Sequence, residues 1–102
     1  MRKMYVAKTD FWEYDVYLDV SEYVENKNVA VSLWNDEVGP VAILTKNLEK
    51  VEDGYAYIDT NNNPWAENFI VDNGLGEPTG KAKRSGYCIY PLYKLNMDAV
   101  LE

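Results

Sequence analysis

The 102-residue sequence has no histidine. That removes the side chain that most often serves as general base or metal ligand near neutral pH. A Ser-His-Asp triad, a Cys-His pair and a histidine-held metal are therefore excluded. Cysteine is almost absent as well: Cys88 stands alone, so no internal disulfide and no thiolate zinc site can form within the chain. Such usage fits a reducing compartment. No apolar run approaches the roughly 20 residues that a membrane-spanning helix needs. The start, Met1 to Tyr5 followed by Lys8 and Asp10, lacks the apolar centre of a signal peptide. The expectation is a cytoplasmic protein with no membrane partner, no metal and no cofactor. Internal repeats, heptads and low-complexity segments are missing too.

What is present is aromatic and acidic. Nine tyrosines and three tryptophans stand in a chain that is 47% hydrophobic and 26% charged, a composition that supports one folded domain over residues 1–102. The net charge is −7, and it is unevenly spread. Between Asp10 and Glu77 fifteen acids face three bases, whereas the flanks hold seven bases and two acids. A body of this sign repels nucleic-acid backbones and attracts basic protein surfaces. Direct DNA binding is not expected; a protein partner is.

Hydrophobic periodicity predicts an α+β fold, a curved antiparallel sheet of about five strands with one helix on one face. Residues 12–20 alternate, with Tyr14, Val16, Leu18 and Val20 facing one way and Glu13, Asp15, Tyr17 and Asp19 the other. Residues 29–33 and 41–45 read as a hairpin around the Gly39-Pro40 loop, and residues 55–59 as a further strand. Asn63 before Pro64 marks a helix over 64–73, with Trp65, Phe69 and Ile70 turned to the sheet and Gly74 as its C-terminal cap. Residues 76–86, rich in glycine and bases, read as an exposed loop. Residues 87–95 return to strand character, with Pro91 confining that strand to an edge or bending it. Residues 96–102 read as a short helical or frayed tail. The predicted core holds Val16, Leu18, Val31, Leu33, Ile43 and Ile58 besides the helix.

Three motifs invite a chemical reading and lose it on inspection. Residues 59–63 begin like a calcium loop, but Pro64 and Ile70 occupy the places of its glycine and its bidentate glutamate. The glycines and Lys81 of residues 74–81 lack the preceding strand and following helix of a phosphate loop. Asp15, Asp19, Asp59 and Glu67 could serve as paired carboxylates in a small hydrolase, yet 17 acids make chance pairs common. The chain is read as a non-enzyme.

Two sets of residues remain as candidate partner-binding sites. Glu13, Asp15 and Asp19 form an acidic strand face, reinforced by Glu22, Glu25, Asp36 and Glu37. Carboxylates two residues apart on a strand stand about 6.6 Å apart, near two base-pair rises of DNA at about 6.8 Å, so the row could imitate a phosphate backbone. Lys81, Lys83 and Arg84 form the second set, a basic cluster able to grip an acidic partner.

Residues 57–67 (Tyr57-Ile58-Asp59-Thr60-Asn61-Asn62-Asn63-Pro64-Trp65-Ala66-Glu67), 74–80 (Gly74-Leu75-Gly76-Glu77-Pro78-Thr79-Gly80) and 85–93 (Ser85-Gly86-Tyr87-Cys88-Ile89-Tyr90-Pro91-Leu92-Tyr93) carry a further signal. Through them most of the chain resembles domain-of-unknown-function family 4313, a group of short bacterial proteins. The resemblance implies cargo of plasmids, phages and conjugative elements of gut bacteria, hence the cytoplasm of a bacterial host. It brings no catalytic residues. Such elements often carry small acidic proteins that block host nucleases. The leading expectation is a non-catalytic inhibitor of a host defence nuclease, of anti-CRISPR or anti-restriction type, acting by protein binding, with DNA mimicry and clamping of the nuclease in an inactive form as the two open mechanisms. The alternative is an interaction or regulatory module of the mobile element without an anti-defence role, docking an acidic partner through the basic cluster.

Overall fold

Residues 2–102 are described by a computed structural model, and Met1 lies outside the described residues. The first sheet contains β1 (Tyr5–Lys8), β2 (Glu13–Glu22), β3 (Val29–Asn35) and β4 (Gly39–Ile43), in that order and antiparallel throughout. Its period-two pattern decides which side is wet. Tyr5, Ala7, Val16, Val31 and Leu33 are buried, while Val6, Lys8, Glu13, Asp15 and Asp19 are exposed.

The second sheet runs β5 (Thr45–Lys46), β6 (Tyr55–Ile58), β8 (Cys88–Leu95) and β7 (Gly76–Ser85). Ala56, Ile58, Tyr93 and Leu95 join the residues of the first sheet in one core. Two short helices complete it. α1 (Ala66–Asp72) contributes Ala66, Phe69 and Ile70, and α2 (Met97–Val100) contributes Val100. α1 ends in a Schellman arrangement: Gly74 sits at φ 68° and donates to Val71 O, and Leu75 N donates to Ile70 O at 2.9 Å. Ile70 and Leu75 are both in the core, which is the apolar contact this motif brings.

The antiparallel architecture with a helix packed through Phe69 and Ile70 agrees with the sequence reading; the count of sheets and strands does not. Eight strands form two sheets because the run 41–45 is split. Leu44, 1% exposed, accepts from Asp59 N and donates to Val31 O, so Ile43 ends one sheet and Thr45 begins the other. Ile43 consequently points out of the core and is 60% exposed. β5, with two residues, is too short for periodicity to reveal, and the sequence reading places no strand at β1.

Residues 76–86 are the larger correction. They are not a loop: Gly76–Ser85 is β7, paired with β8 and interrupted by a bulge between Pro78 and Ala82. An edge strand with little core beneath it needs no apolar alternation, which is why its composition reads as loop. Pro91 falls where β6 has ended, since β6 pairs with β8 only through Leu92. The helix also starts later than predicted, at Ala66. The Asn63 side chain donates to Ile43 O at 2.8 Å instead of capping. The tail is helical and docked through Val100.

Candidate protein-binding surfaces

Val16, Leu18 and Leu33 face the core, so Tyr17 and Trp34 face outward, and the register sets them side by side. Trp34 in turn lies opposite Pro40 on β4. An apolar row thus crosses the outer face of the first sheet, and Ile43 stands exposed near it, opposite Ser32. Asp15 and Asp19 flank Tyr17 along β2, one on each side. The Arg2 guanidinium lies 3.7 Å from the centre of the Tyr17 ring and 2.7 Å from Asp36 Oδ1. That hydrogen bond raises the Arg2 pKa above its usual value.

The acidic set does not form one row. Glu13, Asp15 and Asp19 share the outer face, but Tyr17 interrupts them and Lys8 approaches Glu13 at 3.8 Å. Asp36 and Glu37 occupy the turn after β3. Asn35 builds that turn by accepting from Glu37 N and Val38 N, and it pins the turn to β2 by donating to Asp15 O at 2.7 Å. Five of the seven acids therefore gather on this face and at its Asp15 end. Glu22 has the opposite strand parity and lines a cleft of about 470 Å³ at the far end of β2, and Glu25 sits in the turn beyond it. Among the described residues, Asp15, Asp19 and Glu37 have no ion pair.

The basic set is also divided. Lys83 pairs with Tyr90 and Arg84 with Ile89 across β8, so their side chains leave β7 on opposite faces. Lys83 Nζ lies 2.7 Å from Glu49 Oε1; this contact lowers the Glu49 pKa and raises that of Lys83. Tyr57 also donates to Glu49, at 3.3 Å, and burial together with that carboxylate pushes its phenol upward. Lys81 lines an open cleft of about 890 Å³ with Tyr55, Tyr57 and Leu92. The β7–β8 hairpin turns at Gly86, φ 61°, the first of two central residues, where a type II′ turn favours glycine. Tyr87 at its tip is fully exposed.

The four carboxylates considered for hydrolysis are dispersed. Asp59 accepts from Asn62 N and Nδ2, a structural turn. Glu67 accepts from the Tyr93 hydroxyl at 2.7 Å, which with burial raises the Tyr93 pKa strongly. The clefts of about 890, 590 and 470 Å³ are lined by other residues.

Sequence reading missed the Tyr17–Trp34 pair and Arg2 above it. The parity of Tyr17 was legible, but its neighbour on β3 depends on register, which the turn at 23–28 fixes through Tyr23 N donating to Asn28 O.

No curated protein and no solved structure matches the chain. The family described as Domain of unknown function (DUF4313) matches residues 17–102, which leaves only β1 and the start of β2 outside the match. With nearly its whole length covered, the chain belongs to the DUF4313 family.

Proposed function

We propose that the chain is a non-catalytic protein-binding module whose working surface is the outer face of the first sheet. Its partner is a basic nucleic-acid-handling protein of the bacterial host, a defence nuclease of restriction or CRISPR type, which it inhibits. The observation that carries this reading is the Tyr17–Trp34 row with the carboxylates of Asp15 and Asp19 on either side, neither of them ion-paired among the described residues. Aromatic centres with polar rims are the anatomy of protein interfaces, and Trp and Tyr dominate their energetic hot spots. The surrounding negative charge steers the encounter toward basic surfaces.

Arg2 over Tyr17 indicates how such a partner would engage: a guanidinium stacks on the ring while a carboxylate holds it. An arginine from the partner can take the same place. Strict DNA mimicry would need an unbroken row of charge at about 6.6 Å, so Tyr17 in mid-row favours an aromatic anchor with carboxylates as rim. The choice of a nuclease rests on the mobile-element context that the resemblance implies, not on geometry.

The test is DNA cleavage by purified restriction and CRISPR nucleases in the presence of the chain. Inhibition is expected, with Tyr17→Ala plus Trp34→Ala raising the concentration required at least tenfold. Asp15→Lys plus Asp19→Lys should weaken inhibition and flatten its salt dependence. Inhibition that survives both double variants would refute this surface; nucleases left untouched throughout would refute this partner class.

A further inference from the structure

Residues 78–97 hold four bases and no acid in a chain of net charge −7. They cover all of β8 and all of β7 except Gly76 and Glu77, so this part of the hairpin is cationic, and β7 is the outermost strand of its sheet. The direction of its free hydrogen-bonding groups follows from three bonds. Leu95 N donates to Gly54 O, on the β6 side. Asn96 N donates to Leu75 O, and Leu92 O accepts from Thr79 Oγ1, both on the β7 side. Backbone groups alternate sides along a strand, so Tyr90 and Cys88 face β7. Their register partners Lys83 and Ser85 face back. Ala82 and Arg84 therefore turn their N–H and C=O groups to the open edge, and so does Pro78, which has no N–H to offer.

The open edge thus has two parts. Around Pro78 and the bulge it is blocked, as sheets commonly protect their edges. Over residues 82–85 it is available, with Lys83 on one face, Arg84 on the other and Lys81 just before. Lys81 and Arg84 have no ion pair among the described residues. A second copy pairing edge to edge would set these bases against one another, and like charges across a ladder oppose pairing. A strand carrying carboxylates would meet opposite charge on both faces.

We propose that the edge of β7 at residues 82–85 accepts an extended acidic segment of a partner protein as a fifth strand of the second sheet. Main-chain bonds at Ala82 and Arg84 supply the pairing, and Lys81 and Arg84 select the charge, while Lys83 is already held by Glu49. This site is separate from the outer face of the first sheet and does not depend on it.

The test uses the full chain, isotope-labelled, titrated with a capped ten-residue peptide of alternating glutamate and valine. Saturable amide shifts centred on Ala82 and Arg84 are expected, with slowed hydrogen exchange at these two groups. Ala82→Pro removes one edge donor and leaves the β8 ladder its bonds at Lys83 and Ser85; it should weaken binding at least tenfold. Arg84→Glu keeps the backbone intact and should weaken it similarly, while a lysine-valine peptide should not bind. Unslowed exchange at Ala82 and Arg84, or full binding by both variants, would overturn the proposal. So would a single-stranded oligonucleotide shifting these amides where the acidic peptide does not, since that would mark a phosphate site.

Discussion

β2 and β7 are both ten residues long and both carry charge, yet they are held in place by different means. β2 lies between β1 and β3, and its inner side chains include Val16 at 0% exposure. β7 has one neighbour and exposed side chains on both faces over most of its length. Length and extended backbone therefore say little about how firmly a strand is fixed. Burial under one face supplies most of the stability of β2, whereas β7 depends on its turn and on the ladder to β8. The same contrast divides the two proposed surfaces: one is a rigid face over a core, the other an edge that still has bonds to give.

The strongest way to break this contrast is to remove apolar volume beneath β2. Val16→Ala should cost about 2 kcal/mol of stability, from lost methyl transfer and the cavity left behind. A lowered urea midpoint with an unchanged slope is the expected result. Ala82→Ser on β7 should leave the midpoint where it is. Equal costs at the two positions would mean that β7 is buried against something in solution.

Tyr93 tests the ground between the two, because β8 joins the arm to the core. Its hydroxyl donates to Glu67 on α1, and burial first, then this carboxylate, raises its pKa. A phenol raised in the folded state keeps its proton after the unfolded chain has lost it at about pH 10. Its contribution is therefore complete below pH 10 and is lost as pH rises further through the folded value. Tyr93→Phe should cost about 1 kcal/mol at neutral pH. It should also flatten the alkaline loss of stability expected in urea melts from about pH 10 upward, where the unfolded phenol begins to ionise. Tyr57 and Tyr90, also raised chiefly by burial, should leave a residual slope.

How far the sequence could be read follows the same division. Where one face is buried, as in residues 13–20 and at Phe69, Ile70 and Gly74, alternation and the C-terminal cap were legible and the structure agrees. Where neither face is buried, as in β7, the pattern carries no period, and glycine with lysine reads as loop. The acidic candidates were legible as exposed, because parity needs no partner strand. Their grouping was not, because Asn35 fastening the Asp36–Glu37 turn to Asp15 O is a contact across 20 positions. Arg2 over Tyr17 is similarly nonlocal.

A smaller effect is expected at the tip of the arm. Gly86 holds φ 61° with open space around its missing side chain, so Gly86→Ala strains only the backbone. Hydrogen exchange at Lys83 and Ser85 should quicken several-fold while the urea midpoint barely moves. Such separation of local from global opening is what a strand outside the core should show.

The least stability is at stake where Lys83 meets Glu49. Both side chains are about half exposed, and pairs of this kind add little to folding because solvent screens them. Glu49→Gln should therefore leave the urea midpoint unchanged. The pair is still visible in titration. The lysine, first through its hydrogen bond and then through its charge, holds the Glu49 pKa below the ordinary carboxylate value. A group lowered in the folded state contributes above its unfolded pKa and ceases to as pH falls through the folded one. Carboxyl-carbon titration of Glu49 should thus show a low midpoint that returns to about 4.3 in Lys83→Met. High salt should move it the same way. If Lys83→Met left the midpoint low, the Tyr57 hydroxyl would be the controlling partner, and Lys83 would be free for an acidic strand at the edge.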